Sequence, residues 1–420
     1  MRNAIFWQED LVAPVPDRRE LPAECDVAVM GAGLTGLATS YYLAGTGLDV
    51  HVFDRSKIGD GASTRNGGMT LAGLKLSPQQ LIRSYGREQA ISLYAASLSA
   101  IDHLEKLIAE EDIDCEFSRY GALWAAYTAG HYKGLAASQR LLSETFQHET
   151  FLVSKERMAD EIGSDYYHGG LVDPVSAGLH PGKLTYALAQ RALQAGVTIH
   201  EQCEIKAVEQ VGEGIRIRSE NGDVRAGQLI IATNGYTPAC VPKIRRRIIP
   251  IGSYILVTEA LPADIAASLL PNGRMAFDTK KFLYYFRRVG NRLLFGGRTS
   301  FSPIADRVAV RRLAESMLEV YPQLRPYGVD YYWSGHVGFT FDQMPHIGCE
   351  GGIHYAMGYC GHGVAMSVYC AHALAGIICG EDTDLPYAAL PFQSRMYYRQ
   401  KPWFLPIAGS FYNLVDRFAK

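Results

Sequence analysis

A short apolar run, Asp26-Val-Ala-Val-Met30, leads directly into Gly31-Ala-Gly-Leu-Thr-Gly36, and no other feature constrains the chain as much. An apolar run without polar alternation reads as a strand buried on both faces. In a G-x-G-x-x-G turn, Gly31 permits the tight bend, Gly33 lets backbone approach a pyrophosphate, and Gly36 allows close helix–strand packing. Residues 37–45 then predict a helix ended by Gly45 and Gly47, and 50–53 a second strand stopping at Asp54. Backbone N–H groups at the turn, around Ala32, Leu34 and Thr35, face a phosphate at the helix N-terminus, where the helix dipole favours anions. Asp54, with Arg55 beside it, stands roughly 20 residues further on, where a ribose-binding carboxylate belongs. Its charge disfavours NADP, whose extra phosphate it would repel. The expected unit is a βαβ dinucleotide fold at the start of the chain.

A second glycine loop follows at once, Gly61-Ala-Ser-Thr-Arg-Asn-Gly-Gly68. A nicotinamide-binding chain needs no such loop after its carboxylate. FAD does, because its pyrophosphate and ribityl chain run past the second strand toward the flavin. A third motif, Gly358-Tyr-Cys-Gly-His-Gly-Val364, precedes a helix whose apolar positions Val364, Val368, Ala371, Ala375 and Ile378 form one stripe.

These segments resemble the D-amino-acid oxidase/glycine oxidase/sarcosine oxidase superfamily of FAD enzymes, which carries a similar S-x-R-N-G-G loop and a G-x-x-G-H-G segment. The resemblance implies that Asn66, Gly67 and Gly68 lie against the flavin, while Ser63, Thr64 and Arg65 bond phosphate or ribityl oxygens. It also implies that Gly361, His362, Gly363 and Val364 aim a helix N-terminus at the flavin pyrimidine, where reduction leaves negative charge. His362 then acts through its backbone more than its imidazole. Ile205, in Cys203-Glu-Ile205, would offer backbone to the adenine, and Thr233, in Ala232-Thr-Asn-Gly235, marks a return of the chain to the cofactor. Within the superfamily, the Trp7 arm, Arg65-Asn-Gly-Gly68 and Tyr284-Tyr-Phe-Arg287 most resemble gamma-glutamylputrescine oxidases.

The departures from that pattern matter too. Covalent sarcosine oxidases attach flavin through a cysteine where Gly335 and His336 stand here, so non-covalent FAD is expected. They also place a lysine just after G-H-G to hold the substrate carboxylate; Ala365-Met366-Ser367 stands there instead, which favours an amine. Lys280 and Lys281 are near the oxygen-activating position but are equally consistent with exposed side chains.

The resemblance implies oxidation of an amine or amino acid C–N bond, with the flavin taking the hydride. Candidate catalytic residues are Tyr285, Arg287 and His336. Arg287 would either clamp a substrate carboxylate or form a surface ion pair. Tyr254, Tyr285, Tyr331, Tyr332 and Trp333 would form either an aromatic cage for a cationic amine or part of the core. Oxygen is the expected acceptor. The alternatives are a dehydrogenase passing electrons to a quinone or flavoprotein, and a flavin-binding subunit without turnover of its own.

The 420 residues, 48% hydrophobic and 20% charged, suffice for two lobes. The architecture expected is α/β: a Rossmann-like FAD lobe over 1–77, 165–245 and 335–400, interleaved with an α+β substrate lobe on a mixed or antiparallel sheet over 78–164 and 246–334. Residues 401–420 form a C-terminal tail. The pattern predicts helix over 78–112, broken near Gly86, a hairpin turn at Asn221-Gly222 and another at Val289-Gly-Asn291. Lys and Arg total 41 against 43 Asp and Glu, a formal net charge of −2, which gives no electrostatic case for nucleic acid; Lys243-Ile-Arg-Arg-Arg247 reads as a solvated edge. Eight cysteines lack any C-x-x-C, and 363–379 is too short for a bilayer span. With no signal-peptide pattern in the first 24 residues, a cytoplasmic location is expected.

Overall fold

The computed structural model describes residues 1–17, 19–298, 306–398, 402–407, 409 and 411. Most of the expected C-terminal tail, 401–420, lies outside the described residues. The strand Glu24–Met30 is central to the first sheet, flanked in parallel by Val50–Phe53 and Gly222–Ile231, with Thr198–His200 beyond. Its side chains alternate between two cores. Val27 and Val29 pack under helices Leu34–Ala44, Pro181–Gln194 and Gly363–Ile378, while Ala28 and Met30 meet Ile215, Ile217, Val224 and Ile231 on the other face. Burial on both faces is the reason the run is continuously apolar.

Gly222–Ile231 pairs at its end with Ile353–Met357, so the late glycine motif arrives beside the early one. At its start it forms the antiparallel ribbon with Ile205–Val211 and Gly214–Ser219, turning next to Gly222 at φ +137°.

Among the described residues the second sheet has nine strands. Ile249–Thr258 lies between Val329–Phe339 and Arg292–Gly297, followed by Tyr284–Val289, Met275–Asp278, Ala122–Ala125, Gly170–Asp173 and Phe151–Val153. Its far edge is closed by Arg2–Asn3, paired in parallel with Val329–Phe339. Gly290, at φ +56°, makes the expected hairpin turn. One face buries Leu256, Phe286 and Phe295 against Leu313 and Met317 of helix Asp306–Val320. The other packs Trp7, Ile255, Leu294 and Trp333 together. The expected mixed sheet and Rossmann-like sheet are both present, and the chain crosses repeatedly between them.

Two segments sit elsewhere than the expected division would place them. The helices Pro78–Tyr85 and Arg87–Glu110 break at Gly86 as predicted, yet Leu93, Ala100, Ile101, Leu104 and Leu107 enter the core of the first lobe, with the longer helix against Gly363–Ile378. Periodicity locates an apolar stripe but cannot name the surface it covers. Gly170–Asp173, within 165–245, is a strand of the nine-stranded sheet and not of the dinucleotide sheet.

Candidate cofactor and substrate site

At the first glycine turn the Gly31 N–H donates to the Phe53 carbonyl at 2.9 Å, fixing strand to strand end. A Cβ on Gly36 would overlap the Gly31 carbonyl oxygen, and one on Gly33 would come within 2.7 Å of Ser63 Oγ. Asp54 is tied to this turn: its Oδ2 accepts from the Ala32 N–H at 2.7 Å and its Oδ1 from the Ser56 N–H at 2.8 Å. Burial pushes its carboxyl upward, and the two N–H donors oppose that rise. The Leu34 N–H donates to Ser63 Oγ at 2.8 Å, joining the first glycine loop to the second. Thr35 Oγ1 lies 2.9 Å from the buried hydroxyl of Tyr359, joining it to the third.

The second loop is held from behind. The indole N–H of Trp7 donates to the Asn66 carbonyl at 2.8 Å and that of Trp333 to the Arg65 carbonyl at 3.0 Å. Asn66 bonds within its own loop, from Nδ2 to the Ser63 carbonyl at 2.7 Å and by accepting the Gly68 N–H at 2.8 Å. Arg65 Nε reaches the Asp60 carbonyl at 2.8 Å and Nη1 the Ser334 carbonyl at 3.1 Å. Thr64 is fully buried, donating to the Gly59 carbonyl at 2.8 Å. Arg287 Nη1 donates to the carbonyls of Gly68 at 2.7 Å and Leu179 at 2.8 Å, with its guanidinium 5.7 Å from the Trp7 ring centre. Desolvation pulls that guanidinium down to about 10.

At the third motif, Cys360 and Gly361 turn through φ of 53° and +101°, and a Cβ on Gly361 would meet nothing within 4 Å. His362 keeps its imidazole neutral: burial, and then the charge of Lys75, pull it down to about 4. Its Nδ1 is a buried atom with no hydrogen-bond partner among the described residues.

One cavity of about 930 Å³ joins all three motifs. The sequence-predicted residues line it except Ala32, Gly36, Thr64, Gly68 and Arg287, which stand in or behind its walls, and the aromatic candidates Tyr254, Tyr331, Tyr332 and Trp333, which pack with the sheet's cores instead. Tyr285 is in the lining, its hydroxyl 3.2 Å from Ser253 Oγ and its ring 3.1 Å from where a Cβ on Gly67 would stand. His336 lines it too, donating its backbone N–H to the Tyr236 hydroxyl at 2.9 Å, with the two rings edge to face. Desolvation, with Arg55 and Arg65 second, lowers the His336 imidazole. Ile205 and Thr233 meet the cavity near Asp54, whose carbonyl accepts the Cys203 N–H at 2.7 Å.

Sequence reasoning missed a buried box at the other end. Lys280 is buried and not exposed, with Nζ 3.7 Å from Asp278 and 3.9, 4.4 and 5.1 Å from the ring centres of Tyr284, Tyr127 and Tyr166. Tyr167 donates to Asp278 at 3.1 Å, and burial raises that carboxyl to about 6 against the pull of Lys280. Its members come from three distant segments, so no local spacing announces them. Tyr236, Ser253 and Lys75, all in the lining, were missed for the same reason.

The site fits FAD on its own terms. The missing Cβ at Gly361 leaves backbone open to a ligand, Asp54 faces the cavity with a carboxylate, and one void runs past both loops to the helix start.

Comparison with known proteins agrees. Residues 26–377 match the family described as "FAD dependent oxidoreductase". A "Probable oxidoreductase OrdL" from Haemophilus influenzae is 33% identical over 86% of this chain and 84% of its own length. The "Gamma-glutamylputrescine oxidoreductase" of Escherichia coli is 29% identical over 94% and 93%. Among solved structures, glycine oxidase from Geobacillus kaustophilus superposes with a TM-score of 0.77 over 90% of this chain and 100% of that one, at 19% identity, a likeness of fold. Three glycine motifs in one cavity and a family match over most of the length lead to one conclusion: the chain belongs to the D-amino-acid oxidase family of FAD-dependent oxidoreductases.

Proposed function

We propose that this protein oxidises the C–N bond of a primary or secondary amine, or of an amino acid, to an imine that water then hydrolyses, with oxygen as the final electron acceptor. The observation that carries it is the single cavity, which continues from the three glycine motifs into a chamber walled by Tyr285, Ser253, Trp124 and Phe277. Bound FAD supplies the hydride acceptor such an oxidation needs, N5 of its flavin. Asp54 and the Gly31–Gly36 turn would hold its ribose and diphosphate. Asn66, Gly67 and the Gly361–Val364 turn would flank its ring system. The chain's remaining task is to orient the substrate C–H, exclude water and favour the neutral amine, since an ammonium has no lone pair to assist hydride departure. The aromatic walls provide the exclusion. The gamma-glutamylputrescine oxidoreductase relative supports the amine.

FAD binding is proposed to be non-covalent. Cys360 faces the cavity, but its thiol donates to the Gly358 carbonyl at 3.1 Å and burial pushes it up to about 11, so it is held as an unreactive thiol. Acid precipitation should leave yellow FAD in the supernatant, and flavin retained in the pellet would contradict this. For the reaction, the holoenzyme is mixed anaerobically with a panel of amines and amino acids. Bleaching of the flavin band supports C–N oxidation; bleaching by an alcohol or thiol alone overturns it. Peroxide on readmitting air identifies an oxidase, and its absence after bleaching makes the protein a dehydrogenase.

A further inference from the structure

Of the twelve exposed large hydrophobic side chains among the described residues, five fall in one short stretch: Met396, Tyr397, Trp403, Ile407 and Phe411, all between 55% and 97% exposed. Scattered singly, such residues need no explanation; a cluster does. The stretch also has an inward side. Tyr398, Phe404 and Leu405 pack with Ile249, Ile251 and Phe339, and the Tyr398 hydroxyl donates to the Ile248 carbonyl at 2.9 Å. The Trp403 indole N–H donates to the Tyr397 carbonyl at 3.1 Å, tying the outward side chains to each other. Anchored inward residues thus hold an apolar cluster at the surface.

Basic charge stands beside it. Burial raises the Tyr398 phenol to about 12, and Arg245 is near enough for its charge to oppose that rise. Arg245 and Arg246 belong to the basic run 243–247, which the chemistry above does not use. Arg395 lies 5.9 Å from the ring centre of Phe341, which itself meets the rings of Tyr397 and Tyr398. The carboxylates close to these elements are engaged by other groups: Glu350 by Arg247 at 2.8 Å, Asp342 by His346 at 3.0 Å. Among the described residues Arg245, Arg246 and Arg395 form no ion pair. In sequence, 395–420 holds five Arg and Lys against one Asp, in a chain whose net charge is −2.

We propose that this face docks the protein on an anionic phospholipid surface, with Tyr397, Trp403 and Ile407 entering the headgroup region and Arg245, Arg246 and Arg395 meeting lipid phosphates. Tyr and Trp settle at the polar boundary of a bilayer, and basic residues among them add attraction to acidic lipid. Such docking lies on the membrane and needs no spanning helix. A second copy seated on the same face would bring these arginines against their own kind. The proposal is independent of the amine oxidation above.

The test is sedimentation of the FAD-loaded protein with vesicles of phosphatidylcholine alone and of phosphatidylcholine mixed with phosphatidylglycerol. The protein should pellet with the acidic vesicles, stay in solution with the neutral ones, and be released by salt. Arg245→Gln with Arg246→Gln should weaken binding about tenfold or more, and Trp403→Ser with Ile407→Ser at least as much. The flavin-to-protein absorbance ratio checks that each variant is folded. No pelleting with acidic vesicles, or equal pelleting with both kinds, overturns the proposal without recourse to a variant. Unchanged affinity in both variants overturns it as well. So does a vesicle-free dimer, seen by analytical ultracentrifugation, that Trp403→Ser with Ile407→Ser dissociates, since the face then belongs to a second copy.

Discussion

Gly36 has no room for a side chain, since its missing Cβ points at the Gly31 carbonyl oxygen. Gly36→Ala should force helix and strand apart and give protein that purifies without FAD, measurable as the flavin-to-protein absorbance ratio. Arg287 stands behind the flavin-side loop, and removing it would strand the Leu179 carbonyl, while the Gly68 carbonyl would keep the Leu179 N–H. Leaving such a group unsatisfied costs about 1–3 kcal/mol. Arg287→Ala should therefore lower Tm and FAD retention, and depress kcat/KM equally for carboxylate-bearing and simple amines. A selective rise in KM for the carboxylates would identify it instead as a substrate clamp. At this scale the sequence is uneven to read. A glycine turn is contiguous, so its purpose is visible in six residues. Lys75, Tyr236 and the Asp278–Lys280 box acquire their surroundings only from segments far apart in the chain.

Elements carry a second kind of information. The short helical turn Phe6–Gln8 carries Trp7, whose indole donates to the Asn66 carbonyl and whose ring meets His180 edge to face at 4.9 Å. Trp333, from the strand Val329–Phe339, does the same for Arg65. The loop is thus gripped by two indoles from opposite ends of the sequence. Trp7→Phe keeps most of the packing and removes the donor, so it should cost about 1 kcal/mol and raise the Kd for FAD, read by fluorescence titration. An unchanged Kd would show that packing alone sets the loop. Strands and helices were largely legible here because their periods are strong. Where the helix Arg87–Glu110 would pack was not, since a stripe of Leu and Ala fits either lobe.

For the whole molecule, burial lowers several imidazoles among the described residues, three of them the furthest. His103, His200 and His362 are each pulled down to about 4, by desolvation first and by His372, His51 and Lys75 respectively. The unfolded chain takes up these protons near the ordinary histidine value of about 6.5, before the folded one does. Stability is therefore full above that value and declines as pH falls toward 4. Tm should fall over this window. His103→Gln, which can still meet the Tyr42 hydroxyl, should flatten the decline and leave Tm at pH 7.5 nearly unchanged. A parallel slope in that variant would show that other groups govern acid unfolding. No helix among the described residues is long and apolar enough to cross a membrane.

Arg2–Asn3 finds its strand partner at Tyr331–Tyr332, and Glu24–Met30 is joined through Gly222–Ile231 to Ile353–Met357. Neither sheet can be completed by a nascent chain that has not yet reached residues 331–357. Loop closure over such separations is slow, and it leaves strand edges open meanwhile. Synthesis on the ribosome thus exposes the glycine turn long before the walls around it exist. Firm cofactor capture therefore waits until the segment with Gly361–Val364 has joined the early glycine turn, and the organism's supply of free FAD acts at that late step.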